Sequence, residues 1–120
     1  MMLGNRCQQD MNNETNEVEQ SEQILGIDLQ DGFEGEPVIV QVNGVEVYRK
    51  DKVQTDYRIS RADSFEIPLP EYPMTVEILL PGRQVTDMIE IRSESIRYVG
   101  ISWLDGKVVF RTSEMPFGYL

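Results

Sequence analysis

The chain has 120 residues, a formal net charge of −10 at pH 7, no histidine and one cysteine. The absence of histidine excludes Ser-His-Asp and Cys-His nucleophilic catalysis and zinc sites of the Cys/His type. The length suits one ordinary domain, and the negative charge repels phosphate backbones and anionic lipid, so we expect neither nucleic acid nor a membrane surface as a partner.

Residues 1–23 are predicted to form a disordered acidic tail. The segment is rich in Asn, Gln and Glu and shows no sustained apolar period of two or of 3.6, although a frayed helix over 16–23 is an alternative. The chain lacks a long apolar run of the kind that spans a membrane and an apolar region typical of a signal peptide. We therefore expect a cytoplasmic protein with one folded domain over residues 24–120.

From Ser21 onward apolar and polar residues alternate, which is the pattern of half-buried β-strands. The dipeptides Asn43-Gly44 and Asp105-Gly106 are typical of tight hairpin turns with positive backbone φ angles. A charged bend at Lys50-Asp51-Lys52 is predicted to separate two strands. In chain order the predicted strands are Leu25–Leu29, Val38–Val42, Val45–Lys50, Val53–Ile59, Phe65–Leu69, Met74–Leu80, Val85–Ile91, Ile96–Leu104 and Lys107–Arg111.

Eight or nine short strands without a helical pattern between them predict an all-β fold, a two-sheet antiparallel β-sandwich. The topology is expected to be immunoglobulin-like or prealbumin-like, and a small closed barrel is the alternative. Trp103 shares the parity of Val99 and Ile101, so we expect it in the core.

Four short motifs follow one another in the middle of the chain. They are a Thr-Asp turn at Thr55-Asp56, a Phe-x-x-x-Leu-Pro strand from Phe65 to Pro70, a Met-Thr-Val strand from Met74 and a Pro-Gly end at Pro81-Gly82. This stretch of about thirty residues resembles the prealbumin-like accessory domains that follow carboxypeptidases. The gap between Asp56 and Phe65 is longer than in that pattern, and Glu71-Tyr72-Pro73 replaces a glycine. The resemblance implies a sandwich without catalytic residues.

Three groups of residues are candidates for a binding site. An acidic loop has the oxygen ligands that Ca²⁺ requires, but its spacing fits no known motif, so we expect solvated turn acids and no metal. Aromatic rings could stack against a sugar, although register leaves only Tyr48 and Tyr98 as candidates for exposure, and basic residues could gather at one end of the domain. The three sets are Asp28, Asp31, Glu34 and Glu36; Tyr48, Tyr72, Tyr98 and Trp103; and Arg49, Lys50, Lys52, Arg58 and Arg61.

The sequence therefore favours a non-catalytic interaction or accessory module, with no catalytic residues and no cofactor. The expected contact surface is an exposed strand edge or the apolar segment Met115–Leu120, which could pair with another subunit or fold back over a sheet edge. We expect a monomer or a weak homodimer. The alternative function is a ligand-binding domain for calcium or carbohydrate, and a hydrolase using two carboxylates is a third hypothesis.

Overall fold

A computed structural model describes residues 23–119 of the chain, and these form eight β-strands and one short 3₁₀ turn, Pro81–Arg83. The strands make two four-stranded sheets, so the predicted β-sandwich is confirmed. The acidic tail predicted for residues 1–23 and the alternative helix over 16–23 lie outside the described residues, apart from Gln23. The strands are β1 Ile24–Leu29, β2 Glu34–Val42, β3 Val45–Gln54, β4 Asp63–Pro68, β5 Met74–Leu80, β6 Val85–Ile91, β7 Tyr98–Leu104 and β8 Lys107–Ser113.

The first sheet has the strand order β4-β1-β7-β8, and the second has the order β3-β2-β5-β6. The structure differs from the expected antiparallel sandwich at one pair, because β1 and β7 run parallel, from Gly26 beside Tyr98 to Leu29 beside Ile101. In the immunoglobulin order the first strand shares a sheet with the second, fifth and fourth strands. The observed order differs from it, because β1 lies between β4 and β7, and the prealbumin-like topology stays a prediction.

The strand predicted over Val53–Ile59 is wrong. Strand β3 continues through the charged residues to Gln54, because its pairing with β2 extends to Glu34 by means of three register shifts. The chain then turns at residues 56–61, where Asp56 and Arg61 form an isolated bridge. The apolar alternation misled the prediction because Tyr57, although it has the parity of Val53, is 59% exposed in this turn.

The core lies between the sheets and follows the predicted alternation. Both hairpin dipeptides have the expected positive φ angles, 51° and 81° at Asn43-Gly44 and 54° and 78° at Asp105-Gly106. Trp103 is only half-buried and packs at the margin of the core rather than within it. The fully buried side chains are Phe33, Leu25, Ile27, Leu29, Met74, Ile78, Leu80, Ile101, Val38, Val40, Val76 and Val99.

Candidate functional site

The outer face of the first sheet is partly covered. The odd-numbered residues of β1 point into the core, whereas Gly26, Asp28 and the following Gln30 point outward, and yet Gly26 and Gln30 are buried. The Tyr98 ring lies over Gly26, and Gln30 is bound by Tyr119 of the C-terminal segment Met115–Tyr119, which crosses this face. The sequence predicts that this segment either pairs with another subunit or folds back over a sheet edge. The segment folds back, but it lies over a sheet face and not over a sheet edge.

Tyr119 holds the C-terminal segment in place. Its hydroxyl donates a hydrogen bond to Asp28 Oδ2 at 2.6 Å and accepts one from Gln30 Nε2 at 2.9 Å. The Arg61 guanidinium lies 4.9 Å from the centre of the Tyr119 ring, and that of Arg111 lies 4.9 Å from the centre of the Phe117 ring. These contacts tie an irregular segment to β1, to β8 and to the turn before β4, chiefly through polar groups and cation–π stacking.

Docking of the C-terminal segment is expected to weaken in alkali. Burial and the hydrogen bond donated to Asp28 raise the pKa of Tyr119 to about 12. A tyrosine in an unfolded chain ionises near ~10, so the stability that this group adds is complete below about pH 10 and is lost as the pH rises through about 12. A titration of tyrosinate absorbance should therefore show a late-ionising tyrosine that is missing from Tyr119→Phe.

Tyr48 serves as an internal reference in that titration. Burial and its hydrogen bond to Asp63 raise the pKa of Tyr48 as well, so it should ionise late in both proteins. If the native protein and Tyr119→Phe have the same number of late-ionising tyrosines, Tyr119 is not docked on Asp28 in solution.

A cleft of about 540 Å³ lies beside the docked segment. Its floor is the outer face of β1 and β4, and one wall is the C-terminal segment. A smaller hollow of about 190 Å³ lies on the other side of Tyr119, next to Arg111 and the turn at residues 58–60. The residues around the larger cleft are Gly26, Asp28, Arg61, Ser64, Phe65, Glu66, Tyr98, Pro116, Phe117 and Tyr119.

Two glycines shape the surface under the C-terminal segment. A Cβ atom on Gly26 would lie 2.6 Å from the Tyr98 ring, and one on Gly100 would lie 2.5 Å from Gln30 Oε1. The Tyr98 and Gln30 side chains therefore lean across neighbouring strands, close to the backbone, instead of standing away from the sheet. Sequence analysis missed this surface, although a glycine at an outward position in each of two predicted strands was a visible signal.

The structure directs two acids of the predicted loop, Asp28 and Glu36, to different partners. Glu36 is engaged by Arg83, whose Nε and second terminal nitrogen lie 2.7 and 2.9 Å from its carboxylate oxygens. Asp28 points to the outer face, where it binds Tyr119. Within residues 23–119, no three acidic or cysteine side chains lie close enough together to hold a metal ion.

The basic residues are not gathered into one free patch. Arg49 pairs with Glu46, Lys50 with Asp63, and Arg58 with Asp56, each at 2.7 or 2.8 Å. Arg61 is separate from these pairs and stacks on Tyr119. The structure therefore supports the interpretation of charged turns and edges over that of an anion-binding surface.

The two sides of the sandwich are closed differently. On one side Tyr48 of β3 stacks on Phe65 of β4 with 4.6 Å between ring centres, and its hydroxyl donates to Asp63 at 2.8 Å. Tyr48 is thus half-buried and not the exposed ring that the sequence suggests. On the other side β6 and β8 face each other, and within the described chain no hydrogen bond or ion pair joins them.

Comparisons of the chain with family models, curated proteins and solved structures find no match. The likeness to carboxypeptidase accessory domains therefore stays a prediction from the sequence. In the part of the chain that the structure describes, no helix is long and apolar enough to cross a membrane.

Proposed function

We propose that this protein is a non-catalytic interaction module that binds an extended segment of a partner protein along the edge of β8. The observation that carries the proposal is that β8 is an edge strand of seven residues, paired with β7 through Ser113 without a register shift. Exposed sheet edges bind peptides by adding a strand, because their outward N–H and C=O groups have no partner. The C-terminal segment is docked on the same molecule, which leaves the edge as the favoured contact surface.

The other three edges are each protected against strand addition. Strand β3 is interrupted by three register shifts, and β4 is short and ends at Pro68. In β6, Asp87 is paired with buried Ile78, so its side chain lies on the interior side of the sheet, at the edge of the sandwich. A strand added to β6 would have to bury this charge, which disfavours strand addition there. Among the edges of the described fold, β8 alone has no register shift, no proline and no inward-pointing charge, and its charged residues Lys107 and Arg111 lie on the outer side of the sheet.

The backbone groups available on β8 follow from the hairpin. In a hairpin with a two-residue turn, the residues that flank the turn exchange both backbone hydrogen bonds, and so does every second pair after them. Leu104 and Lys107 flank the turn, so Val108, Phe110 and Thr112 direct their N–H and C=O groups away from β7. Of these three residues, Thr112 is exposed and can be changed without disturbing the core.

Thr112→Pro is expected to remove partner binding while leaving the fold intact. Proline has no N–H to donate, and its ring projects where an added strand would lie, yet it breaks no bond to β7 because the Thr112 N–H points outward. We expect binding to weaken at least about 10-fold, which corresponds to about 1.4 kcal/mol. The measurement compares proteins retained by the full chain and by Thr112→Pro, with the midpoint of urea unfolding as a check of the fold.

Thr112→Val is the matched control, because it keeps the N–H and the β-branched shape. A partner retained equally by Thr112→Pro and Thr112→Val contradicts binding at β8. Sedimentation equilibrium of the same proteins tests the proposed monomer or weak homodimer, and self-association through this edge should disappear only in the proline variant.

A further inference from the structure

We propose that the cleft between the outer face of the first sheet and the C-terminal segment binds a neutral saccharide. This site is separate from the β8 edge and does not depend on the function proposed above. Three features of the cleft carry the inference: an aromatic ring on its floor, polar groups on its rim that have no partner among residues 23–119, and nearly balanced charge.

The Tyr98 ring forms the aromatic part of the floor. Because Gly26 on the neighbouring strand has no side chain, the ring leans over it, and an added Cβ would meet two ring carbons at 2.6 and 2.9 Å. One edge of the ring thus lies against the backbone of β1, and the half-buried ring lines the cleft. Phe117 and Tyr119 add aromatic surface in the opposite wall. Aromatic surfaces of this kind pack against the apolar faces of sugar rings.

The rim of the cleft offers both acceptors and donors. Neither the Glu66 carboxylate nor the Ser64 hydroxyl has a hydrogen bond or ion pair within residues 23–119. Asp28 uses only Oδ2 to bind Tyr119, and its other oxygen has no partner among the same residues. Arg61 supplies N–H donors beside them and forms no ion pair in this part of the chain. A polyhydroxylated ring can donate to the carboxylates and accept from the guanidinium.

Charge and size select a neutral ligand. Two carboxylates and one guanidinium surround the cleft, so an anion meets net repulsion, and a cation meets Arg61, which already stacks on the Tyr119 ring. A neutral sugar has neither difficulty. The volume of about 540 Å³ lies within the range of ordinary ligand pockets, about 300–1,000 Å³.

The test is a titration of the full chain with cello-, xylo-, malto- and chito-oligosaccharides, followed by chemical-shift changes at the Tyr98 and Phe117 amides. Tyr98→Ala should weaken binding about 10-fold through the loss of stacking, and Tyr98→Phe should retain it. Glu66→Gln should also weaken binding, since the amide is a poorer acceptor than the carboxylate. Glu90→Gln on β6, which is exposed and distant from the cleft, is the control.

Two results would overturn the site. One is no shift at Tyr98 or Phe117 with any of the four sugars at about 10 mM, well above a dissociation constant of about 1 mM. The other is binding that Tyr98→Ala and Glu66→Gln leave unchanged. Thr112→Pro should bind saccharide like the native protein, so failure of the β8 proposal and failure of this one are separable.

Discussion

Gly32→Ala is expected to cost about 4 kcal/mol of unfolding free energy, the largest effect of any single substitution considered for this fold. Gly32 lies in the loop after β1 with φ of +94°, and a Cβ there would lie 1.8 Å from the Trp103 carbonyl oxygen. The loop cannot move aside easily, because the Trp103 N–H donates to Asp31 O at 2.8 Å and the Gln30 N–H donates to Ile101 O at 2.8 Å. Urea unfolding followed by Trp103 fluorescence measures the loss.

Gly44→Ala separates the clash at Gly32 from simple backbone strain. Gly44 has φ of +81°, but a Cβ there meets nothing within 4 Å. We expect a cost of only about 1 kcal/mol, which is the penalty for alanine in the left-handed region. Equal losses in the two variants would show that the contact with the Trp103 backbone is not the cause.

Thr55→Val is expected to destabilise the domain by about 3 kcal/mol although it preserves size and shape. The Thr55 hydroxyl donates to Gln30 O at 2.7 Å and accepts from Phe33 N at 3.0 Å, and the residue is only 3% exposed. Valine would leave two buried backbone groups without these partners, and each such group costs about 1–3 kcal/mol. The expected result is a lower midpoint in urea with an unchanged slope.

Thr55→Ser is the matched variant for this second prediction. It keeps the hydroxyl and removes one buried methyl group, so we expect a loss of about 1 kcal/mol. A serine variant less stable than the valine variant would show that packing, and not hydrogen bonding, is the role of Thr55.

Local alternation predicts most of this fold because it records which side chains face the core. Met74–Leu80 and Val85–Ile91 have the predicted bounds, and the hairpin turns lie where the Asn-Gly and Asp-Gly pairs indicate. The alternation does not show in which direction a strand runs relative to its neighbour, or which strands distant in the sequence pair with each other. For that reason the parallel contact of β1 with β7 was invisible, and so was the extension of β3 through its charged residues to Gln54.

The candidate site was less predictable than the fold. Tyr98 was singled out as a ring for stacking, but nothing local linked it to Gly26, its neighbour across the parallel pair. Tyr119 meets Asp28 only because the end of the described chain returns to its first strand. Sites assembled from distant segments depend on topology, which a single sequence specifies only through the complete fold.

The position of β1 between β4 and β7 has a consequence for how this domain folds. A central strand at the start of the domain receives its parallel neighbour only after nearly all of the described chain has been made. Until then the edge of β1 that pairs with β7 has backbone N–H and C=O groups without partners, and the apolar side chains of β1 lack part of their packing. Folding should therefore be slow, governed by closure of a long loop, and all-or-none rather than stepwise from the amino terminus. A nascent chain that has not yet reached β7 is the species most in need of chaperone protection.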